Sequence, residues 1–134
     1  MTATEMIQTH PMEVGLDADL LGRTIEALIA CAQTCTACAD ACLGEDQVDH
    51  MRRCITTDLN CADVCTAAAR VLSRQTEYDA TVTKAVLEAC ATVCGQCASE
   101  CEQHAEMGMD HCRICAEQCR SCEDLCRQLL EQVR

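Results

Sequence analysis

Apolar residues recur at steps of three and four along most of the chain, which is the spacing of one face of an α-helix. Gly44 and Gly108 interrupt this pattern, and Asp17 suits the N-cap of the first helix. The predicted helices are approximately 17-43, 46-74, 77-107 and 110-133. Residues 1-16 have no periodic face and are expected to form an N-terminal arm. Because short connections force neighbouring helices to be antiparallel, residues 17-134 predict an all-α, up-down-up-down four-helix bundle.

The inward positions of these helices carry cysteine where leucine is usual. Between Cys112 and Cys126, five cysteines follow one another at steps of three, four, three and four residues. At about 1.5 Å of rise per residue, this row of thiols is about 21 Å long. The other predicted helices carry similar rows, so the bundle is expected to have a cysteine-lined interior. The residues concerned are Cys31, Cys35, Cys38, Cys42, Cys54, Cys61, Cys65, Cys90, Cys94, Cys97, Cys101, Cys112, Cys115, Cys119, Cys122 and Cys126.

The two halves of the chain repeat each other. The four cysteines of the first helix match those of the third at a shift of 59 residues, and the second helix matches the fourth at a shift of 61. In this overlay Met51 stands opposite Cys112, and Asp58 stands opposite Cys119. A carboxylate on an inward face is costly unless it binds a metal, takes up thiol protons or meets a cation. We therefore expect Asp58 to lie beside a metal.

Composition narrows the function that such an interior can serve. The chain has 134 residues, 16 of them cysteine, and Tyr78 is the single aromatic residue. A net charge of -12 with scattered basic residues argues against nucleic-acid binding. The N-terminus lacks the basic start and apolar run of a signal peptide, and no span long enough for a membrane is expected. We therefore predict a cytoplasmic protein, in which thiols stay reduced and more often bind metal than form disulfides.

Sixteen thiols in one channel are far more than a single catalytic site uses, so the sequence favours metal storage and not an enzyme. Soft thiolates select Cu(I), zinc or iron–sulfur clusters. Four thiolates around each zinc ion would bury a large negative charge, whereas each Cu(I) replaces one thiol proton and leaves the core near neutral. Two sulfurs that lie one helical turn apart are also at a suitable distance for one Cu(I) ion to bind both in a near-linear arrangement. The expected capacity is on the order of one Cu(I) ion per cysteine.

Three other interpretations of the cysteines remain open. A disulfide-stapled helical interaction module would use four half-cystines and leave twelve cysteines unexplained. A thiol redox sensor would have one or two cysteines that are much more reactive than the others. Cysteines can also fill a core as small hydrophobic residues, but leucine or alanine would do so without the risk of oxidation.

Soft and borderline ligands collect in the connections at the cysteine-rich end of the predicted bundle. They are Met51, His104, Met107, Met109 and His111, with His50 as a secondary candidate. Thioether and imidazole groups can hold copper weakly and pass it on. We expect these side chains to form an entrance for the metal.

The repeated Cys-x3-Cys-x2-Cys-x3-Cys runs, together with the missing export signal, resemble the four-helix-bundle cytosolic copper storage proteins of bacteria over about residues 17–133. The resemblance implies a bundle whose interior binds many Cu(I) ions through cysteine thiolates, with histidines at its open end as the entrance. It also implies assembly into a homotetramer. The expected partners are thus copper ions, a copper chaperone that delivers or removes them, and further copies of the chain. At Asp58 the second helix has a carboxyl group where a row made only of thiols would continue. The arrangement of copper near this helix is therefore expected to differ from that of the family.

Overall fold

The computed structural model describes all 134 residues, and its regular elements are all helical. The helices are α1 (Thr2–Gln8), α2 (Ala18–Leu43), α3 (Arg52–Leu72), α4 (Ala80–Ala105) and α5 (Asp110–Leu130), with a short 3-10 helix (Val48–Met51) before α3. Two aspartates start long helices as N-caps. Asp17 Oδ1 accepts a hydrogen bond from the backbone of Leu20 at 2.8 Å, and Asp79 caps α4 in the same way. The predicted all-α class is confirmed.

Helices α2 to α5 form a ring in which each helix packs against two others. The packed pairs are α2 with α3, α3 with α4, α4 with α5, and α5 with α2, so the diagonal pairs face each other across the interior. Short connections make consecutive helices antiparallel. This arrangement confirms the antiparallel four-helix bundle, and the space that all four helices surround is where their cysteines meet.

Helix α1 lies within the segment predicted as an N-terminal arm, and it packs against α2. Gly22 allows the close approach, because a Cβ there would lie 2.7 Å from the Cα of Thr4. The backbone N–H of Thr4 also donates to Glu26 Oε1 at 3.4 Å, and Ile7 is buried. A seven-residue helix is marginal alone, so α1 depends on this contact with α2.

The two ends of the bundle differ in what fills them. At the end nearest α1, the fully buried side chains are mainly aliphatic, among them Leu21, Leu28, Leu87 and Leu129. The rest of the interior is lined by sulfur. We call the aliphatic end the closed end. The opposite end, where the connections α2–α3 and α4–α5 lie, is called the mouth.

One helix, α2, is long and apolar enough to cross a membrane by length and composition alone. On this criterion the expectation that no segment is long enough was wrong. The reason is that the cysteines and alanines of α2 count as apolar. In the fold, its buried face packs against α3 and α5, and the core helix of a bundle passes the same test.

Candidate metal centre

All 16 cysteines are free thiols, and every one is buried, with at most 2% of its surface exposed. The helical period explains this arrangement, because cysteines three and four residues apart on each helix share the face that looks into the ring. The structure thereby confirms the cysteine-lined interior. It contains no disulfide among these residues.

The thiols contact one another across helices as well as along them. Cys31 Sγ lies 3.7 Å from the Sγ atoms of both Cys61 and Cys119, and Cys35 Sγ lies 3.5 Å from Cys119 Sγ. Cys65 Sγ and Cys94 Sγ are 3.6 Å apart. A soft metal with bonds of about 2.3 Å to each of two sulfurs spans at most about 4.6 Å. The sulfur positions therefore lie within bridging range without any movement of the backbone.

Five groups of four donor atoms have all their members within 4.8 Å of one another. Neighbouring groups share members, so they form a continuous array along the bundle and not a set of isolated centres. The groups are Cys31, Cys61, Cys65 and Cys94; Cys31, Cys35, Cys61 and Cys119; Cys35, Cys97, Cys115 and Cys119; Cys38, Cys42, Cys54 and Cys112; and Cys38, Asp58, Cys101 and Cys115.

Asp58 is completely buried among thiols. Its Oδ1 accepts hydrogen bonds from Cys97 Sγ at 2.9 Å, Cys115 Sγ at 3.3 Å and Cys101 Sγ at 3.6 Å. Burial first, and then the neighbouring Cys97, raises the pKa of Asp58 to about 8. The carboxyl group is thus able to hold a proton at neutral pH, and its oxygen can join three of the thiols around one metal.

Burial acts on the thiols in the same direction and raises their pKa. At Cys42, near the mouth, the pKa of the thiol lies above its ordinary range, first because of burial and then because of repulsion from Cys54 and Cys112. A neutral thiol costs less to bury than a thiolate. At each protonated thiol, a monovalent cation that replaces the proton leaves the net charge of the interior unchanged.

A cavity of about 620 Å³ opens at the mouth. It brings together four of the predicted entrance residues, Met51, His104, Met107 and Met109. It also contains His50, the secondary candidate, and three residues that the sequence interpretation did not select: Glu45, Asp46 and Gln47. These four lie in the α2–α3 connection, where no helical period marks a shared face.

The entrance residues lie at different depths. Met107 is 69% exposed at the rim, whereas Met51 is buried and Met109 is half-buried. His111 does not line the cavity but lies against the thiols, with its Nδ1 3.4 Å from Cys38 Sγ and 3.5 Å from Cys112 Sγ. Soft ligands thus extend from the surface at Met107 to the first thiols.

His104 is buried on α4, and its two ring nitrogens have different surroundings. Nε2 lies 3.3 Å from Glu100 Oε1, whereas Nδ1 is buried without a hydrogen-bond partner. Glu100 was missed by the sequence interpretation because it lies outside the row of cysteines. Its position four residues before His104, one turn along the same helix, is the signal that could have identified it.

A helical bundle filled with free thiols in bridging contact defines a metal-storage protein. The chain belongs to the copper storage protein family, whose sequence profile matches residues 17–131. The resemblance noted from the sequence is therefore confirmed. No curated protein sequence matches the chain.

Solved structures of similar proteins agree with the family. The Streptomyces lividans copper storage protein Ccsp, loaded with 10 copper equivalents, is 55% identical, with 97% of this chain and 98% of that chain covered and a TM-score of 0.94. A cytosolic copper storage protein from the same organism, with five coppers, is 60% identical over 84% of this chain and 93% of that one, with a TM-score of 0.83. Cu(I)-bound copper storage protein 3 of Bacillus subtilis is 34% identical over 83% and 98%, with a TM-score of 0.72.

Proposed function

We propose that this chain stores many Cu(I) ions in the cytoplasm, on the order of one per cysteine, and so protects the cell against copper. The observation that carries this proposal is the continuous array of buried, free thiols in overlapping groups of four donors. The copper-loaded relatives support it, since Ccsp holds 10 copper equivalents and the Bacillus subtilis protein is Cu(I)-bound. The cytosolic relative supports the location.

The proposed storage ligands are the thiolates of all 16 cysteines. Cu(I) suits these thiolates better than zinc for an electrostatic reason. Each Cu(I) ion brings one positive charge and replaces one thiol proton, so a filled channel gains little net charge. Contacts of 3.5 to 4.0 Å between sulfurs on different helices allow one thiolate to bridge two metals. Two or three sulfurs per metal then suffice throughout the channel.

Asp58 is the proposed oxygen ligand in this sulfur array. Its donor group contains Cys38, Cys101 and Cys115, and its contacts are with thiols and not with a basic side chain. Of the three roles that could offset the cost of burying a carboxyl group, pairing with Arg or His is therefore unsupported. Binding copper and accepting a thiol proton both fit the geometry.

The mouth is the proposed entrance for copper. Met107, Met109 and Met51 offer thioethers from the rim inward. His104 offers an imidazole in the same cavity, and His111 offers one next to the thiols. These ligands bind Cu(I) more weakly than a set of thiolates does. A gradient in affinity from the rim to the channel would draw copper inward.

Storage in this form needs no catalytic step, and we propose that the protein is not an enzyme. Its proposed partners are a copper chaperone that exchanges copper at the mouth and other copies of the chain in a homotetramer. We further propose no role for nucleic acid or a membrane, because the net charge is -12 and the apolar face of α2 is used within the bundle.

A count of free thiols separates storage from the disulfide-stapled module. Protein purified without reductant under anaerobic conditions, then unfolded in the presence of an alkylating reagent, is expected to take up 16 labels by mass spectrometry. The stapled module would leave four cysteines unlabelled until a reductant is added. The time course of labelling the folded protein tests the redox sensor, which requires one or two cysteines to react far ahead of the rest.

A further inference from the structure

The ring nitrogens of the two histidines at the mouth have different surroundings. In each ring, Nε2 faces a carboxylate: Glu100 at 3.3 Å for His104, and Glu45 at 3.6 Å for His111. In each ring, Nδ1 is directed away from that carboxylate. For His111 it meets two thiol sulfurs, and for His104 it is buried without a partner. The two rings differ at Nε2, because Nε2 of His111 is buried without a hydrogen-bond partner, whereas Nε2 of His104 is within hydrogen-bond distance of Glu100.

The unpartnered Nδ1 of His104 is the more informative of the two. The side chain is only 7% exposed, and the side chain of Glu100 is 12% exposed, so water provides little compensation. Leaving a buried acceptor without a hydrogen bond costs free energy. A ligand that binds at Nδ1 would remove this cost, and the thioether of Met51 and the methionines of the same cavity are neighbours that suit Cu(I).

We propose that Glu100 is a positioning residue for copper uptake. It accepts a hydrogen bond from Nε2–H of His104. The buried Nδ1, which then has a free lone pair, is left as the only atom of the ring that can bind copper. The inference depends on the proposed entrance role of His104. Metal-binding histidines commonly donate their other ring N–H to a carboxylate, which fixes both the tautomer and the ring orientation.

A second contact fixes the carboxylate itself. Arg53 Nε lies 3.3 Å from Glu100 Oε2, the oxygen that His104 does not use. Arg53 belongs to α3, whereas Glu100 and His104 belong to α4. The series Arg53, Glu100 and His104 therefore connects two helices at the mouth. The side chain of Arg53 is 70% exposed, so its ion pair with Glu100 is weak. The position of Glu100 therefore depends more on α4, the helix that carries it, than on Arg53.

The contact can be tested in the copper-free protein by proton and ¹⁵N NMR of the histidine rings. The Hε2 proton of His104, assigned by its loss in His104→Ala, is expected to be protected from exchange and visible. Glu100→Ala is expected to remove this resonance, and Glu100→Gln is expected to retain it because the amide oxygen can accept the same bond. Glu106→Ala is the matched control, since it removes an equal charge from an exposed site two residues from His104.

Copper binding gives the second readout. After the thiols are filled, a further equivalent of Cu(I), which is diamagnetic, is expected to shift the ¹⁵N resonance of His104 Nδ1 and not that of Nε2. Glu100→Ala is expected to slow loading by about 10-fold, in line with the loss of an outer-shell partner. Glu100→Gln and Glu106→Ala are expected to load at close to the rate of the unaltered protein.

Three results would overturn the proposal: an unprotected Hε2 in the unaltered protein, a copper-induced shift at Nε2, or loading of Glu100→Ala at the rate of Glu106→Ala. Failure of the entrance role is a separate result, because His104→Ala would then load at the unaltered rate. The Hε2 resonance of the copper-free protein would still decide whether Glu100 holds the ring.

Discussion

Replacing Asp58 with asparagine is expected to stabilise the copper-free protein at pH 8, and the gain is expected to shrink as the pH falls. Burial raises the pKa of Asp58 from 3.8 to about 8 in the folded state. Between these two values the folded protein holds a proton that the unfolded chain has released. The stability that this proton provides is complete below about pH 4 and is lost as the pH rises through 8. Asparagine has no such proton to lose.

The largest possible gain for Asp58→Asn at pH 8 is about 6 kcal/mol, because each unit of pKa shift corresponds to about 1.4 kcal/mol. Anaerobic urea unfolding with a phosphine reductant, at pH 5 and pH 8, measures it. The Asp58 carboxylate also raises the pKa of Cys42 and Cys54, so the difference between the two proteins reports on Asp58 together with the thiols around it.

Asp63→Asn is the control, since Asp63 is exposed on the same helix. It is expected to change the free energy of unfolding little at either pH. A difference between Asp58→Asn and the unaltered protein that is the same at pH 5 and pH 8 would contradict the raised pKa of Asp58.

Replacing both His104 and His111 with alanine is expected to slow copper loading by at least about 10-fold, while the final capacity stays nearly unchanged. His104 lines the cavity at the mouth, and His111 contacts the first thiols, Cys38 and Cys112. Loss of the two imidazoles removes the stepwise transfer of copper but leaves all 16 thiols in place. Stopped-flow transfer from a coloured Cu(I) chelator, under anaerobic conditions, measures the rate.

His10→Ala is the control for this pair of histidines, because His10 follows α1, which packs on α2 away from the mouth. It is expected to load at the unaltered rate. If the double variant loads as fast as His10→Ala, the mouth is not the entrance. A large loss of capacity would instead make the histidines storage ligands.

The interior of the bundle could be predicted from the sequence because cysteine occupies the period that leucine usually occupies. The spacing of three and four residues is sufficient to place Cys112 and Cys126 on one inward face, and it places Asp58 between Cys54 and Cys61 on another. Close contacts between helices could not be obtained in the same way. That Cys35 lies 3.5 Å from Cys119 depends on how α2 and α5 pack, which local spacing does not determine.

The mouth was predicted only in part, since its geometry depends on loops. The sequence indicated Met51, His104, Met107 and Met109 through their chemistry. Glu45, Asp46 and Gln47 enter the same cavity because the α2–α3 connection folds over it, and no periodic pattern predicts that fold. Helix α1 is a similar case, because its stability comes from the approach to Gly22 and not from its own seven residues.

Anaerobic titration with Cu(I) against a competing chelator tests the storage function most directly. The thiol array predicts that the protein keeps withdrawing copper from the chelator up to on the order of one ion per cysteine, with 16 cysteines available. Saturation after only one or two equivalents would contradict storage and would indicate a single metal site in an otherwise inert interior.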